Sequence, residues 1–91
     1  MTNLRQSAYR RLTPEQFAAA LEELGLTTEG FAWLTGSNAR RVSLWRRGEE
    51  DIPPWVPLVC TLLTLPGAKA VVKDVTRHMT QVEPDFHDEP L

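Results

Sequence analysis

Apolar positions recur at helical spacing in five stretches of the chain, and breaker residues separate them. Thr13-Pro14-Glu15-Gln16 has the grammar of a helix start. Thr13 can cap, Pro14 suits the first helical position, and Gln16 completes a capping box. Phe17, Leu21 and Leu24 then follow at i, i+4 and i+7, with Ala20 beside them and Glu22 and Glu23 outside. Gly25 is placed to close this helix, predicted over 13–24. A second helix is predicted over 28–35, opening at Thr28 with Glu29 in its first turn and stopping at Gly36. It is too short to stand alone and must be held by its neighbours. Asn38 is a good N-cap for a third helix over 39–47, with Val42 and Trp45 on one side and Gly48 as its stop. Ile52-Pro53-Pro54 must be extended, because the residue before a proline avoids the α region. A fourth helix is predicted over 54–65, with Val56, Val59, Cys60 and Leu63 inward and Pro57 tolerable only within the first turn. Pro66-Gly67 breaks the chain before a fifth helix over 68–79. There Ala68, Val71, Val72, Val75 and Met79 make one stripe, and Lys69, Lys73, Asp74 and Arg77 the other face.

No strand-length alternating run and no Asn-Gly or Asp-Gly hairpin signal occurs. The expected fold is therefore all-α, a compact bundle of about five short helices over 13–80. A basic N-terminal arm, 1–12, with Arg5, Arg10 and Arg11, precedes it, and an acidic tail, 81–91, follows, both expected to be flexible. With 91 residues there is room for one small domain. The single cysteine, Cys60, excludes an intramolecular disulfide framework and disfavours structural zinc. No apolar run follows the early arginines, so no signal peptide is read, and the stretch near 55–65 is too short to span a bilayer. A cytoplasmic protein is expected. The net charge is −2, which by itself speaks against nucleic acid. Its distribution changes the picture: residues 1–48 carry seven Arg and four Glu, or +3, and residues 49–91 three basic and eight acidic residues, or −5. Such asymmetry suggests a basic working face on an otherwise acidic chain.

The basic residues concentrate where the steric pattern is most specific. Between Thr28 and Gly48 a short helix, a glycine turn and a second short helix follow one another. Small Ala32 permits close helix approach, and Gly36 permits the sharp turn. Val42 and Trp45, six and nine residues after Gly36, pack back toward the preceding helix. These are the requirements of a helix-turn-helix.

Through Phe31-Ala32, Leu34, Gly36, Asn38, Val42, Trp45, Gly48 and the following Ile52-Pro53-Pro54, residues 13–65 resemble the phage repressor and Cro-like (XRE-like) helix-turn-helix family. The resemblance implies a lambda-repressor-like five-helix domain that binds operator DNA as a dimer. It makes 39–47 the recognition helix, with Ala39, Arg40, Ser43 and Leu44 toward base edges. Arg40 is suited to guanine and Ala39 or Leu44 to a thymine methyl. Thr28, Asn38, Arg41, Arg46 and Arg47 are then expected at backbone phosphates, and Arg5, Arg10 and Arg11 at a groove if the arm engages. Trp33 departs from the family, which usually has an exposed polar residue there. It can pack on the arm, meet a partner subunit or touch the DNA backbone.

Several readings stay open beside these. The arginine run can be a solvated face, the arm a loose tail, and the acidic tail either a solubility segment or a mimic that screens the basic face. The stripe on the fifth helix can be core, or Val71, Val72, Val75 and Met79 can form a dimer interface. Trp55 can be a lid on the core or an anchor for a partner. Function then divides between a sequence-specific DNA-binding transcription regulator, a dimeric repressor in the family's manner, and a protein-interaction module on the same scaffold that engages RNA polymerase, a toxin or a co-regulator. The chain offers no nucleophile–base pair, phosphate loop or metal-ligand set, so neither an enzyme nor a cofactor is expected.

Overall fold

The structure, a computed structural model, describes residues 10–80, and these form five α-helices. They are α1 (Pro14–Leu24), α2 (Thr28–Thr35), α3 (Ala39–Arg47), α4 (Trp55–Leu63) and α5 (Ala68–Met79). The acidic tail and Arg5 lie outside the described residues. Among the described residues there is no strand.

The helix ends follow from local chemistry. Thr13 caps α1 in a complete capping box: its hydroxyl accepts the Gln16 N–H at 3.1 Å, and the Gln16 side chain accepts the Thr13 N–H at 2.9 Å. α2 is capped by Thr27, whose hydroxyl accepts the Gly30 N–H at 2.7 Å. Gly25, Gly36 and Gly48 close the first three helices in the left-handed region. At Gly48 space matters as well as φ, because a β-carbon there would lie 3.2 Å from Cγ of Pro14. α4 is shorter than the expected 54–65, starting at Trp55 and ending at Leu63. Pro54 occupies its N-cap and Pro57 falls in its first turn, where a missing N–H breaks no helical bond. The break between α4 and α5 bends the chain by 114°. No single helix among the described residues is long and apolar enough to cross a membrane.

The core is an aromatic knot wrapped in aliphatic side chains. Phe17 meets Phe31 and Trp45 edge-to-face, with centroids 5.3 Å and 6.1 Å apart. Trp55 stacks on Phe31 at 6.4 Å and stands near-perpendicular to Trp45 at 5.9 Å. Four rings drawn from α1, α2, α3 and α4 thus lock these helices into one unit. Leu21, Leu24, Leu26, Ala32, Leu34, Val42, Ile52, Val56, Cys60 and Leu63 complete the core. Trp55 is 38% exposed, so it lids the knot with one face and shows the other to solvent. The Trp45 indole N–H is buried without a hydrogen-bond partner. Burial pushes the Cys60 thiol up from its ordinary value.

Two expectations are corrected. Residues 11 and 12 do not belong to a loose arm: Leu12 packs on the core, and the Arg11 guanidinium donates to the Ile52 carbonyl at 3.1 Å and pairs with Asp51 at 3.7 Å. On α5 only Val72 of the four candidate seam residues packs on the core. Val71, Val75 and Met79 are 62%, 51% and 77% exposed, whereas Lys73, assigned to the solvent face, is 5% exposed. The inward row is Lys69, Val72, Lys73 and Thr76, one position round the helix from the apolar stripe. The cause lies in α1, which has no basic residue in its own last turn. Lys69 reaches across and donates to the Leu24 carbonyl at 2.6 Å, placing a cation at the negative end of α1. The Lys73 stem can lie along apolar surface, and the Thr76 hydroxyl satisfies itself on the Val72 carbonyl at 2.8 Å.

Candidate nucleic-acid interface

The turn between α2 and α3 is built by its own hydrogen bonds. The Gly36 N–H donates to the Ala32 and Trp33 carbonyls, and the Ser37 N–H to Ala32 at 2.9 Å. The Thr35 and Ser37 hydroxyls meet at 2.8 Å, which ties the two sides of the turn. The Asn38 carboxamide oxygen then accepts the Arg40 and Arg41 N–H groups at 2.8 and 3.3 Å. These bonds fix the direction in which α3 leaves the turn. Val42 and Trp45 point into the core, so the remaining positions of α3 face outward.

Of the four residues assigned to bases, Ala39 and Arg40 are exposed and Ser43 and Leu44 half-buried. Arg40, Arg41 and Leu44 line one open groove of about 630 Å³, whose other walls include Asn38, Glu50 and Trp55. Among the phosphate candidates, Thr28 and Arg46 come together: the Arg46 guanidinium donates to the Thr28 hydroxyl at 2.8 Å. Eighteen residues apart in sequence, they form a single donor pair that joins the start of α2 to the end of α3. Asn38 is exposed, with its oxygen committed to the cap. Arg10 is exposed, and Arg11 is anchored to the loop before α4.

Two other arginines are engaged by acids of the loop that follows α3. Arg41 Nε lies 3.1 Å from Glu50 Oε1, and Arg47 Nε lies 3.4 Å from Glu49 Oε2. Exposed pairs of this kind contribute about 0–1 kcal/mol each, so phosphates can displace them. Arg40 has no ion pair among the described residues. The signal for the pairing was present in sequence: Glu49-Glu50-Asp51 follows directly on an arginine-rich helix and a glycine that reverses the chain. Trp33, whose role sequence left open, packs half-buried against the core.

Leu34, Trp55, Val59, Leu62, Leu63 and Val72 line an apolar hollow of about 380 Å³, which shares Trp55 with the α3 groove. Leu58, Leu62, Leu65, Val71, Val75 and Met79 stand exposed on α4, α5 and the break between them. The chain matches no family model, no curated protein and no solved structure.

Proposed function

We propose that this chain is a sequence-specific, double-stranded-DNA-binding transcription regulator that acts in the cytoplasm as a homodimer and needs no cofactor. The carrying observation is α3 itself, capped by Asn38 and anchored through Val42 and Trp45, so that Arg40, Ser43 and Leu44 are offered outward on a rigid element. Its arginines and the Thr28–Arg46 pair are donors suited to a strand of phosphates on either side of a groove. The resemblance to repressor and Cro-like domains points the same way. In a dimer, two copies of α3 would enter successive major grooves about 34 Å apart. The exposed Val71, Val75 and Met79 support α5 as the seam, with Val72 contributing only in part because it also packs on the core.

Selection of bound duplexes from a random pool, followed by a salt titration on the best binder, tests this reading. A palindromic consensus with steep salt dependence is expected. Arg40→Ala should lose about 1–3 kcal/mol at one base position and relax preference there, while Arg47→Ala weakens all sequences alike. Equal loss on every sequence from both changes would remove Arg40 from the base-reading set.

A second reading, a protein-interaction module, is favoured by the exposed apolar face of α4 and α5. If the pool enriches nothing and Arg40→Ala/Arg41→Ala leaves capture of a protein partner intact, that reading replaces the first.

A further inference from the structure

We propose that the acidic loop after α3 is a built-in brake on sequence-independent DNA binding, with Glu49 and Glu50 as its working residues. The proposal rests on the DNA-binding reading above and adds a determinant of selectivity to it. α3 carries four arginines, each of which attracts the phosphates of any duplex whatever its sequence. The loop that follows it returns two carboxylates onto that same helix. Glu50 engages Arg41 at 3.1 Å and Glu49 engages Arg47 at 3.4 Å. Glu50 also stands on the rim of the groove lined by Arg40 and Leu44. A phosphate approaching Arg41 or Arg47 must therefore displace a carboxylate and then tolerate it within a Debye length, about 8 Å at physiological salt.

Arg40 escapes this arrangement. It sits between Asn38 and Arg41 at the start of α3, exposed, with no ion pair among the described residues. Base readout through Arg40 thus has no paired carboxylate to displace, while the phosphate contacts of Arg41 and Arg47, which carry no sequence information, each do. Asp51 extends the pattern by pairing with Arg11, whose guanidinium is already bound to the Ile52 carbonyl. That second bond pins the arm side of the loop and keeps its acids against the domain. The brake also accounts for an acidic chain carrying a basic helix: the negative charge is partly spent where it limits promiscuous binding.

The test compares wild type with Glu49→Gln/Glu50→Gln on a mixed-sequence duplex about two helical turns long. The variant should bind roughly two- to thirtyfold tighter, the range for two exposed pairs at their usual strength. Its log K against log salt should steepen by about 0.9 for each arginine released to a phosphate. A purely structural loop would leave that slope unchanged. Glu23→Gln/Asp74→Asn serves as a charge-matched control, since these carboxylates on α1 and α5 pair with no α3 arginine among the described residues. Circular dichroism melting checks that both variants fold, and the single Glu50→Gln change, which keeps the Arg47 pair, substitutes if the double variant does not. An affinity change under twofold, an unchanged slope, or an equal gain in the control overturns the brake and leaves DNA binding standing. If neither wild type nor variant binds any duplex at low salt, the DNA-binding reading itself falls, and the brake with it.

Discussion

In α3 the inward positions are Val42 and Trp45 and the outward ones are largely arginine; in α5 the inward positions include Lys73 and Thr76, while Val71, Val75 and Met79 face solvent. Both helices are amphipathic, yet they use the property in opposite senses. α3 buries its apolar side because the Phe17, Phe31 and Trp55 rings wait for it. α5 meets a different surface: the polar end of α1 and the flank of α2. There a lysine that caps a carbonyl and a self-satisfied threonine fit better than valine. An apolar stripe therefore reports what a helix is covered by, which can be its own domain or something else. One end of this molecule is closed in the single chain, and the other keeps an apolar face outside.

The sharpest way to break the closed end is Trp45→Ala. Removing a fully buried indole from a four-ring knot should cost about 3–5 kcal/mol, most of the stability of so small a domain. Urea denaturation reads it as a large fall in midpoint or as an unfolded chain. Trp45→Phe keeps an aromatic ring in the knot and removes the indole nitrogen. The indole N–H has no hydrogen-bond partner to lose, so the change should cost clearly less than the alanine, through cavity volume alone. Equal losses would show that the nitrogen matters and that the ring packing does not account for the knot.

Gly48→Ala comes next, at about 1–2 kcal/mol. A left-handed residue with a β-carbon is strained, and here the carbon would also crowd Pro14. Gly36→Ala, with open space at the same backbone geometry, should cost less. A reversed order in thermal melts would show that contact with α1 does not determine how α3 ends.

Much of this was legible in the sequence, and what was not had a common cause. α2, α3 and α5 fall on their expected ranges because Thr27, Asn38, Gly36, Gly48 and Pro66-Gly67 act within one turn of themselves. The capping box at Thr13 and Gln16 is equally local. The outward set on α3 followed from subtracting two core residues. What local pattern does not carry is a bond between residues distant in sequence: Lys69 to the Leu24 carbonyl, Arg11 to Ile52 and Arg46 to Thr28. The first accompanies the turn of α5 by one position, the second ties residue 11 to the domain, and the third merges two separate phosphate candidates. Glu49 and Glu50 are nearer neighbours of the arginines they hold, but only a left-handed Gly48 turns them back onto α3.

Lys69→Met tests the cause of this rotation directly. It keeps the apolar stem and removes the donor, leaving the Leu24 carbonyl without its cation. A loss of about 1–2 kcal/mol is expected in urea denaturation. No loss would mean that shape alone turns α5. A smaller effect belongs to Cys60. Its thiol keeps its proton in the fold, while the unfolded chain releases it near 9.0. The unfolded state then holds fewer protons, so stability falls as pH climbs past that value. Cys60→Ala should flatten that part of the pH profile relative to wild type, whatever its offset in midpoint. An unchanged slope would place the thiol in a more solvated setting than its burial indicates.

The smallest expected effect is the most telling for the open end. Val75→Ser changes an exposed position on α5, and in an isolated chain it should shift stability by no more than about 0.5 kcal/mol. If a second copy covers this face, wild-type stability rises with protein concentration, because the assembled state is favoured by mass action. Val75→Ser should remove that dependence and leave the dilute-limit midpoint where it was. Sedimentation on the same samples should show the dimer weakening in parallel. A wild-type midpoint independent of concentration would make the exposed stripe no seam between copies, and the apolar end of the molecule would then count toward the protein-partner reading. A large loss at high dilution would instead mean that Val75 is covered within the single chain, and the contrast between α3 and α5 would fail.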